Sequence, residues 1–176
     1  MPVATKSLVP VEEYLRLSFE GPDCEYLDGE IVERSVGDRS HSSVQIRLIQ
    51  LLDKFEMQAG LFAQSEIRLR VSRTRYRIAD LAVFEGGEPD ELVPSSPPFI
   101  TIEIVSRDDR HTEIIEKLDE YYRWGVRYVW LIDPSLRKLY TYGASGLGEV
   151  DALEASEYQL RIRMSDLTRR PAPARG

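Results

Sequence analysis

From Glu66 to Val71 the chain reads Glu-Ile-Arg-Leu-Arg-Val, an alternation of polar and apolar side chains that predicts a half-buried strand. After turn residues at Ser72 to Arg75, the run Tyr76 to Phe84 is expected to return beside it as an antiparallel partner. Upstream, Val11, Leu15 and Phe19 share one face of a short amphipathic helix whose first turn accommodates Pro10. Tyr26-Leu27-Asp28-Gly29-Glu30-Ile31 sets Asp-Gly between short alternations, the signature of a two-residue hairpin turn. Val44, Leu48, Leu51, Leu52 and Phe55 recur at helical spacing, which predicts a helix over His41 to Ala59 with Ser40 as N-cap and Gly60 as stop.

The second half alternates strand and helix. Glu85 to Pro98 is a loop rich in Gly, Pro and acids, and Phe99 to Val105 is an apolar, β-branched run suited to a central strand. Thr112 to Trp124 reads as a helix ended by Gly125, and Tyr128 to Asp133 as a buried strand stopped by Pro134. A strand-helix-strand unit from Phe99 to Asp133 implies a parallel pair with a right-handed crossover. Lys138 to Tyr142 and Tyr158 to Ile162 are expected as later, more exposed strands. Together these elements predict an α/β fold, a mixed central sheet flanked by helices with an additional N-terminal hairpin.

Length and composition set the frame for that fold. The 176 residues, 42% hydrophobic and 30% charged, suit one core, so residues 1–168 are expected to form one domain and 169–176 (RRPAPARG) a flexible tail. No apolar run reaches bilayer length and the first ten residues lack the apolar core of a secretory signal, so a cytoplasmic protein without membrane contact is expected. The lone Cys24 excludes an internal disulfide and a thiolate zinc site. A net charge of -7 argues against simple electrostatic nucleic-acid binding. Arg68, Arg70, Arg73, Arg75 and Arg77 nevertheless cluster, either as a solvated hairpin face or as a phosphate-contacting ribbon.

Two acids stand out. Asp80 heads the apolar run Leu81-Ala82-Val83-Phe84, and Glu103 interrupts Ile102-Glu103-Ile104-Val105. A buried carboxylate is costly unless it is paired or binds a cation, so the two acids predict either ion pairs with nearby arginines or a shared hard cation such as Mg²⁺. Lys117 lies three residues after Ile114 and four before Tyr121, beside the apolar stripe of its helix. It can pair with Glu113 or Glu120, or direct its ammonium toward the end of the Glu103 strand. His41 opens a helix, where it can contact phosphate, donate a proton or serve structure alone. With His111 the only other histidine, a multi-histidine metal site is excluded. Tyr121, Tyr122, Trp124, Tyr128 and Trp130 follow burial spacing and read as core or dimer interface rather than a base-stacking platform.

The ordered set of motifs resembles a known family. A Tyr-Leu-Asp-Gly-Glu hairpin, a His41-led helix, Arg77-x-x-Asp80, Ile102-Glu103-Ile104-Val105-Ser106, Lys117, Tyr121, Gly125-Val126 and Tyr128-Val129-Trp130-Leu131-Ile132-Asp133-Pro134 resemble the Uma family of bacterial restriction endonucleases, within the PD-(D/E)xK nuclease superfamily. The resemblance spans roughly residues 8 to 165 and implies a restriction-endonuclease-like fold. It implies a DNA endonuclease that uses Mg²⁺ or Mn²⁺ and water, with Asp80 and Glu103 as metal-binding acids and Lys117 as the catalytic lysine. Glu30 resembles the extra glutamate that some of these nucleases supply from their N-terminal region, against the plain alternative of a solvated hairpin acid. Glu66 is a further candidate ligand or an ion-pair partner. A homodimer follows by the same analogy, since two sites would address both strands of a duplex. The chain departs from the pattern at Ala79, where the superfamily has proline, and at Val105, where Glu-x-Lys has its lysine. Two other readings stand beside this one: a catalytically inactive nuclease-fold binding or assembly module, and a metal-dependent enzyme on another phosphate ester. Catalysis requires Asp80, Glu103 and the Lys117 ammonium to converge.

Overall fold

A computed structural model describes residues 8–20, 23–35 and 37–168. The first elements are a one-turn helix α1 (Val11–Tyr14) and a hairpin of β1 (Glu25–Leu27) and β2 (Glu30–Val32). Its two-residue turn is Asp28-Gly29, both at positive φ as a twist-matched hairpin requires. Tyr14, Tyr26 and Tyr76 cluster beneath it, with Tyr14 stacked on Tyr26 at 4.9 Å between centroids. The Tyr14 hydroxyl donates to the Cys24 carbonyl at 2.8 Å, which fixes the strand that carries Glu25.

Helix α2 spans Arg39–Ala59. Its N-cap is Asp38, not Ser40: the Asp38 carboxylate accepts the Ser40 and His41 N–H groups, and a carboxylate at this position also meets the positive end of the helix dipole. Gly60 ends the helix in the left-handed region as expected. Strands β3 (Leu61–Ser72) and β4 (Arg75–Glu85) then form the longest antiparallel pair. β3 begins five residues before the sequence pattern suggests, because its phase inverts within the strand. Leu61 and Ala63 pack into the same cluster as α2, whereas Ile67 and Leu69 pack into the cluster of the later helix α3. The inversion falls at Glu66, which takes φ 52° and breaks the ladder between the Ser65–Leu81 and Ile67–Ala79 pairs.

β5 (Ile100–Ile104), helix α3 (His111–Trp124) and β6 (Tyr128–Asp133) form the expected strand-helix-strand unit with β5 and β6 parallel. β7 (Lys138–Gly143) and β8 (Gly146–Val150) extend the sheet, giving the order β2-β1-β4-β5-β6-β7-β8 with β3 along the other edge of β4. A separate two-stranded sheet pairs β9 (Ala152–Ala155) with β10 (Leu160–Arg163), and a short α4 (Met164–Thr168) follows. The expected strand at Tyr158 to Ile162 is thereby corrected: Ser156–Tyr158 form a 3₁₀ turn, and the strand begins only at Leu160. The tail at 169–176 lies outside the described residues.

The sheet carries a helix on each face. Val44, Leu48 and Leu52 of α2 pack on Ile100, Ile102, Trp130 and Ile132, while Leu118 and Tyr121 of α3 pack with Val129 and Leu131. Strand alternation therefore turns Ile102 and Ile104 toward α2 and Glu103 toward α3. Of the five clustered aromatics, Tyr121 and Trp130 are fully buried, Trp124 and Tyr128 pack partly buried against the two cores, and Tyr122 is exposed. Among the described residues no helix is long and apolar enough to cross a membrane.

Candidate active site

The Leu81–Ile102 pairing of β4 with β5 makes Asp80 and Glu103 the next positions outward on adjacent strands. Both are buried, at 4% and 7% exposure. Asp80 Oδ2 accepts the Ile104 N–H at 2.7 Å and lies 3.2 Å from His41 Nε2. Its other oxygen, Oδ1, accepts from Arg34 Nη2 at 2.6 Å. The same guanidinium donates through Nη1 to Glu66, which stands across from Asp80 at the break in the β3–β4 ladder. Gln45 of α2 closes this group, donating to Glu66 at 2.7 Å and to the Asp80 carbonyl at 3.1 Å.

Lys117 comes in from α3. Its ammonium lies 2.7 Å from the Ile78 carbonyl, 2.9 Å from Glu103 and 3.0 Å from Glu25. The first two contacts are hydrogen bonds and the third an ion pair, and the alternative pairing with Glu113 or Glu120 does not form. Tyr121, one turn further along α3, donates to Glu103 Oε1 at 3.1 Å. Glu25 in turn accepts from Arg77 Nη1 at 2.7 Å and from the Ile78 N–H at 3.0 Å.

Burial and partners compete at each group. Glu103 is pushed up to about 7, because burial and the nearby Asp80 charge outweigh the pull of Lys117. Glu25 goes the other way, to about 2: burial raises it, but Lys117, Arg77 and the Ile78 N–H together win. Asp80 is also held below the usual carboxylate range against its burial, by His41, Lys117 and Arg34. His41 is raised in spite of burial because it faces Asp80, and Lys117 keeps its charge in spite of burial because it faces Glu103 and Glu25. Burial and the adjacent Glu103 hold the Tyr121 phenol neutral, as a donor.

Asp80, Glu103, Lys117 and His41 all line one cleft of about 300 Å³. Glu30 does not line it; the acid that the hairpin brings to Lys117 is Glu25, on the strand before the turn rather than after it. His111 is exposed at the start of α3. Glu25 and Arg34 stand in the cleft beyond the residues to which the sequence pattern points. Glu25 carries the same signal as Asp80 and Glu103, an acid beside apolar strand residues, here in Cys24-Glu25-Tyr26-Leu27. Arg34, on an irregular segment, has no such pattern around it.

Three of the five clustered arginines are engaged by acids of the fold. Arg68 pairs with Asp23 and lies over the Tyr14 ring, Arg75 bridges Asp28, Glu116 and Glu120, and buried Arg77 spans Glu25 and Glu120. Their charge is spent on internal acids, leaving Arg70 and Arg73 exposed.

Among the described residues, no three His, Cys, Asp or Glu side chains already converge as a metal-ligating group. The donor chemistry nonetheless fits a small hard cation. Mg²⁺ is commonly held by one or two carboxylates, with water and phosphate oxygens completing its shell. Asp80 and Glu103 supply that pair from neighbouring strands, and the mutual repulsion that raises Glu103 is what a shared cation would offset.

The order of these elements is shared with solved and classified proteins. A crystal structure titled as a "putative nuclease belonging to DUF820" from Anabaena variabilis superposes with a TM-score of 0.78 at 23% identity, covering 89% of this chain and 95% of that one, which shows a common fold. No curated protein matches the chain. The family described as "Putative restriction endonuclease", Uma2, matches residues 11–168, from the first turn of α1 to the end of α4 and through every strand that carries the cleft. That span takes in nearly the whole chain, which therefore belongs to the Uma2 family.

Proposed function

We propose that this chain is a divalent-cation-dependent endonuclease that hydrolyses phosphodiester bonds in DNA with water as the nucleophile. The observation that carries the reading is the 2.9 Å contact between Lys117 and Glu103, made from the helix that follows the glutamate strand. It supplies an ammonium beside the carboxylates although Val105 holds the position where the superfamily motif has lysine.

Asp80 and Glu103 would hold the Mg²⁺ or Mn²⁺ ion. Such an ion, when bound, stabilises charge on a phosphoryl group and lowers the pKa of water. Lys117 contributes a fixed, largely buried positive charge, and charge preorganised in this way acts on a transition state without reorganisation. Glu25 and the Ile78 carbonyl hold that ammonium in place, so Glu25 is a positioning residue. His41 positions Asp80 from the first turn of α2. A homodimer belongs to this reading as the arrangement that would present one cleft to each strand of a duplex.

One observation favours the inactive binding module instead: Asp80 Oδ1 is already engaged by Arg34. Cleavage of supercoiled plasmid and of single-stranded DNA with Mg²⁺ or Mn²⁺ separates the two. The expected result is cleavage by the wild type and loss of it in Asp80→Ala and Lys117→Ala. Equal cleavage by all three preparations identifies a contaminant and refutes the assignment. DNA binding without cleavage identifies the inactive module.

A further inference from the structure

The cation that touches Asp80 in this chain is its own. Arg34 spans Asp80 and Glu66, two carboxylates on neighbouring strands, and its Nη2 occupies Oδ1, the Asp80 oxygen left over by the Ile104 N–H and His41. Planar guanidinium with two outward N–H groups suits such a bridge better than an ammonium would. Two features make the contact exchangeable rather than architectural. Arg34 extends from the irregular segment between β2 and α2, whereas Lys117 and Arg77 are rooted in a helix and a strand. The Arg34 side chain also lines the cleft, so an ion entering the cleft reaches the contact directly.

Glu66 adds an independent sign that this geometry is maintained. A glutamate at φ 52° adopts backbone that costs on the order of 1 kcal/mol for a residue with a side chain, and such positions gather at functional sites. Here the twist breaks the ladder opposite Asp80, and the Glu66 side chain there receives both Arg34 and Gln45.

We infer that Arg34 is the exchangeable counter-cation of the cleft: alongside His41 it balances the Asp80 charge, and it is the group that must leave Oδ1 for a divalent cation to enter. Glu66 retains the displaced guanidinium at the edge of the cleft, so the exchange is local and reversible. The affinity of the cleft for a divalent cation is then set by competition with Arg34. This rests on the metal-dependent reading proposed above.

The test is binding of Mn²⁺ alone to the full chain, followed by calorimetry or by the electron paramagnetic resonance of free Mn²⁺, in wild type, Arg34→Gln and Arg34→Lys. Losing one charge-assisted bond to Asp80 is expected to tighten Mn²⁺ binding by about tenfold in Arg34→Gln. Without divalent cation the same variant is expected to melt at lower temperature, and added Mn²⁺ to raise its melting temperature more than it raises the wild type's. Should Arg34→Gln not fold, Arg34→Lys, which keeps the charge but cannot span both acids, is expected to show an intermediate gain. In the wild type, Mg²⁺ is expected to release the slowed rotation of the Arg34 guanidinium seen by nitrogen-15 resonance. Asp80-dependent Mn²⁺ binding that is unchanged or weaker in both variants overturns the exchange and leaves the metal reading standing. Mn²⁺ binding no stronger in wild type than in Asp80→Ala overturns both.

Discussion

Lys117 meets Glu103 at 2.9 Å although the two residues lie on different elements, a helix and the strand before it. Val105, in the position where a Glu-x-Lys motif would place lysine, is partly buried in the α3 cluster instead. The loss of a strand lysine is thereby compatible with an ammonium at the carboxylates, because α3 packs directly over the face to which Glu103 points.

Lys117→Met is expected to lower the cleavage rate by about 10²–10³-fold, the usual cost of removing one preorganised charge from a transition state. It also strands Glu25 and Glu103 without their shared cation, so a stability loss of about 3–5 kcal/mol is expected in urea melts. Adding Glu103→Gln to Lys117→Met is expected to restore part of the stability and none of the activity. Full recovery of cleavage in that double variant would remove Lys117 from the chemistry.

Glu25 contributes to the acid limb of stability, alongside Asp80. Its pKa in the fold is about 2 against an ordinary 4.5, so its contribution is complete above pH 4.5 and disappears as pH falls toward 2. The shift corresponds to ~3 kcal/mol of stabilisation at neutral pH. Glu25→Gln is accordingly expected to be less stable than the wild type at pH 7, with the gap closing between pH 5 and 2. Parallel stability curves for the two proteins over that interval would show that Glu25 is not the residue responsible.

Most of the fold is legible in the sequence because its core strands are short apolar runs with clear stops. The Asp28-Gly29 turn, the Gly60 and Gly125 helix ends and the parallel β5–β6 pair all follow from local chemistry. The first half of β3 escapes because Glu66 inverts its phase, so no single alternation covers Leu61 to Ser72. β8 escapes for a different reason: Gly146-Leu147-Gly148-Glu149-Val150 carries only two apolar side chains and no alternation, and it is held as an edge by the ladder to β7. The site divides the same way. Asp80 and Glu103 are visible as acids in apolar strands, whereas Arg34 is placed by tertiary packing of an irregular segment and leaves no periodic trace.

Cation binding is expected to be proton-linked through Glu103. A carboxylate with a pKa of about 7 is largely protonated at pH 6, and a hard cation needs the ionised form. Mn²⁺ affinity should rise by about tenfold per pH unit below pH 7 and level off above it. Titration calorimetry at pH 6 in buffers of different ionisation enthalpy should report nearly one proton released per ion bound. Affinity independent of pH between 5 and 8, with no buffer dependence of the heat, would count against Glu103 as a ligand.

Tyr121→Phe probes the same carboxylate from the opposite side. The phenol donates to Glu103 Oε1 at 3.1 Å and is itself buried, so deletion removes a donor without opening the core. The raised pKa gives the sign of the pH effect: the metal-free fold is burdened by Glu103 ionisation as pH rises through about 7, because its folded pKa exceeds the ordinary 4.5. A hydrogen bond to the ionised form is worth more than one to the neutral acid. Tyr121→Phe is therefore expected to cost about 1–3 kcal/mol at pH 8, where the anion loses its donor, and less at pH 5, where Glu103 carries its own proton. Urea midpoints of both proteins at the two pH values measure the difference. A cost that is equal at pH 5 and pH 8 would mean that Glu103 does not change its charge over that range, and the proton-linked cation binding argued above would fail with it.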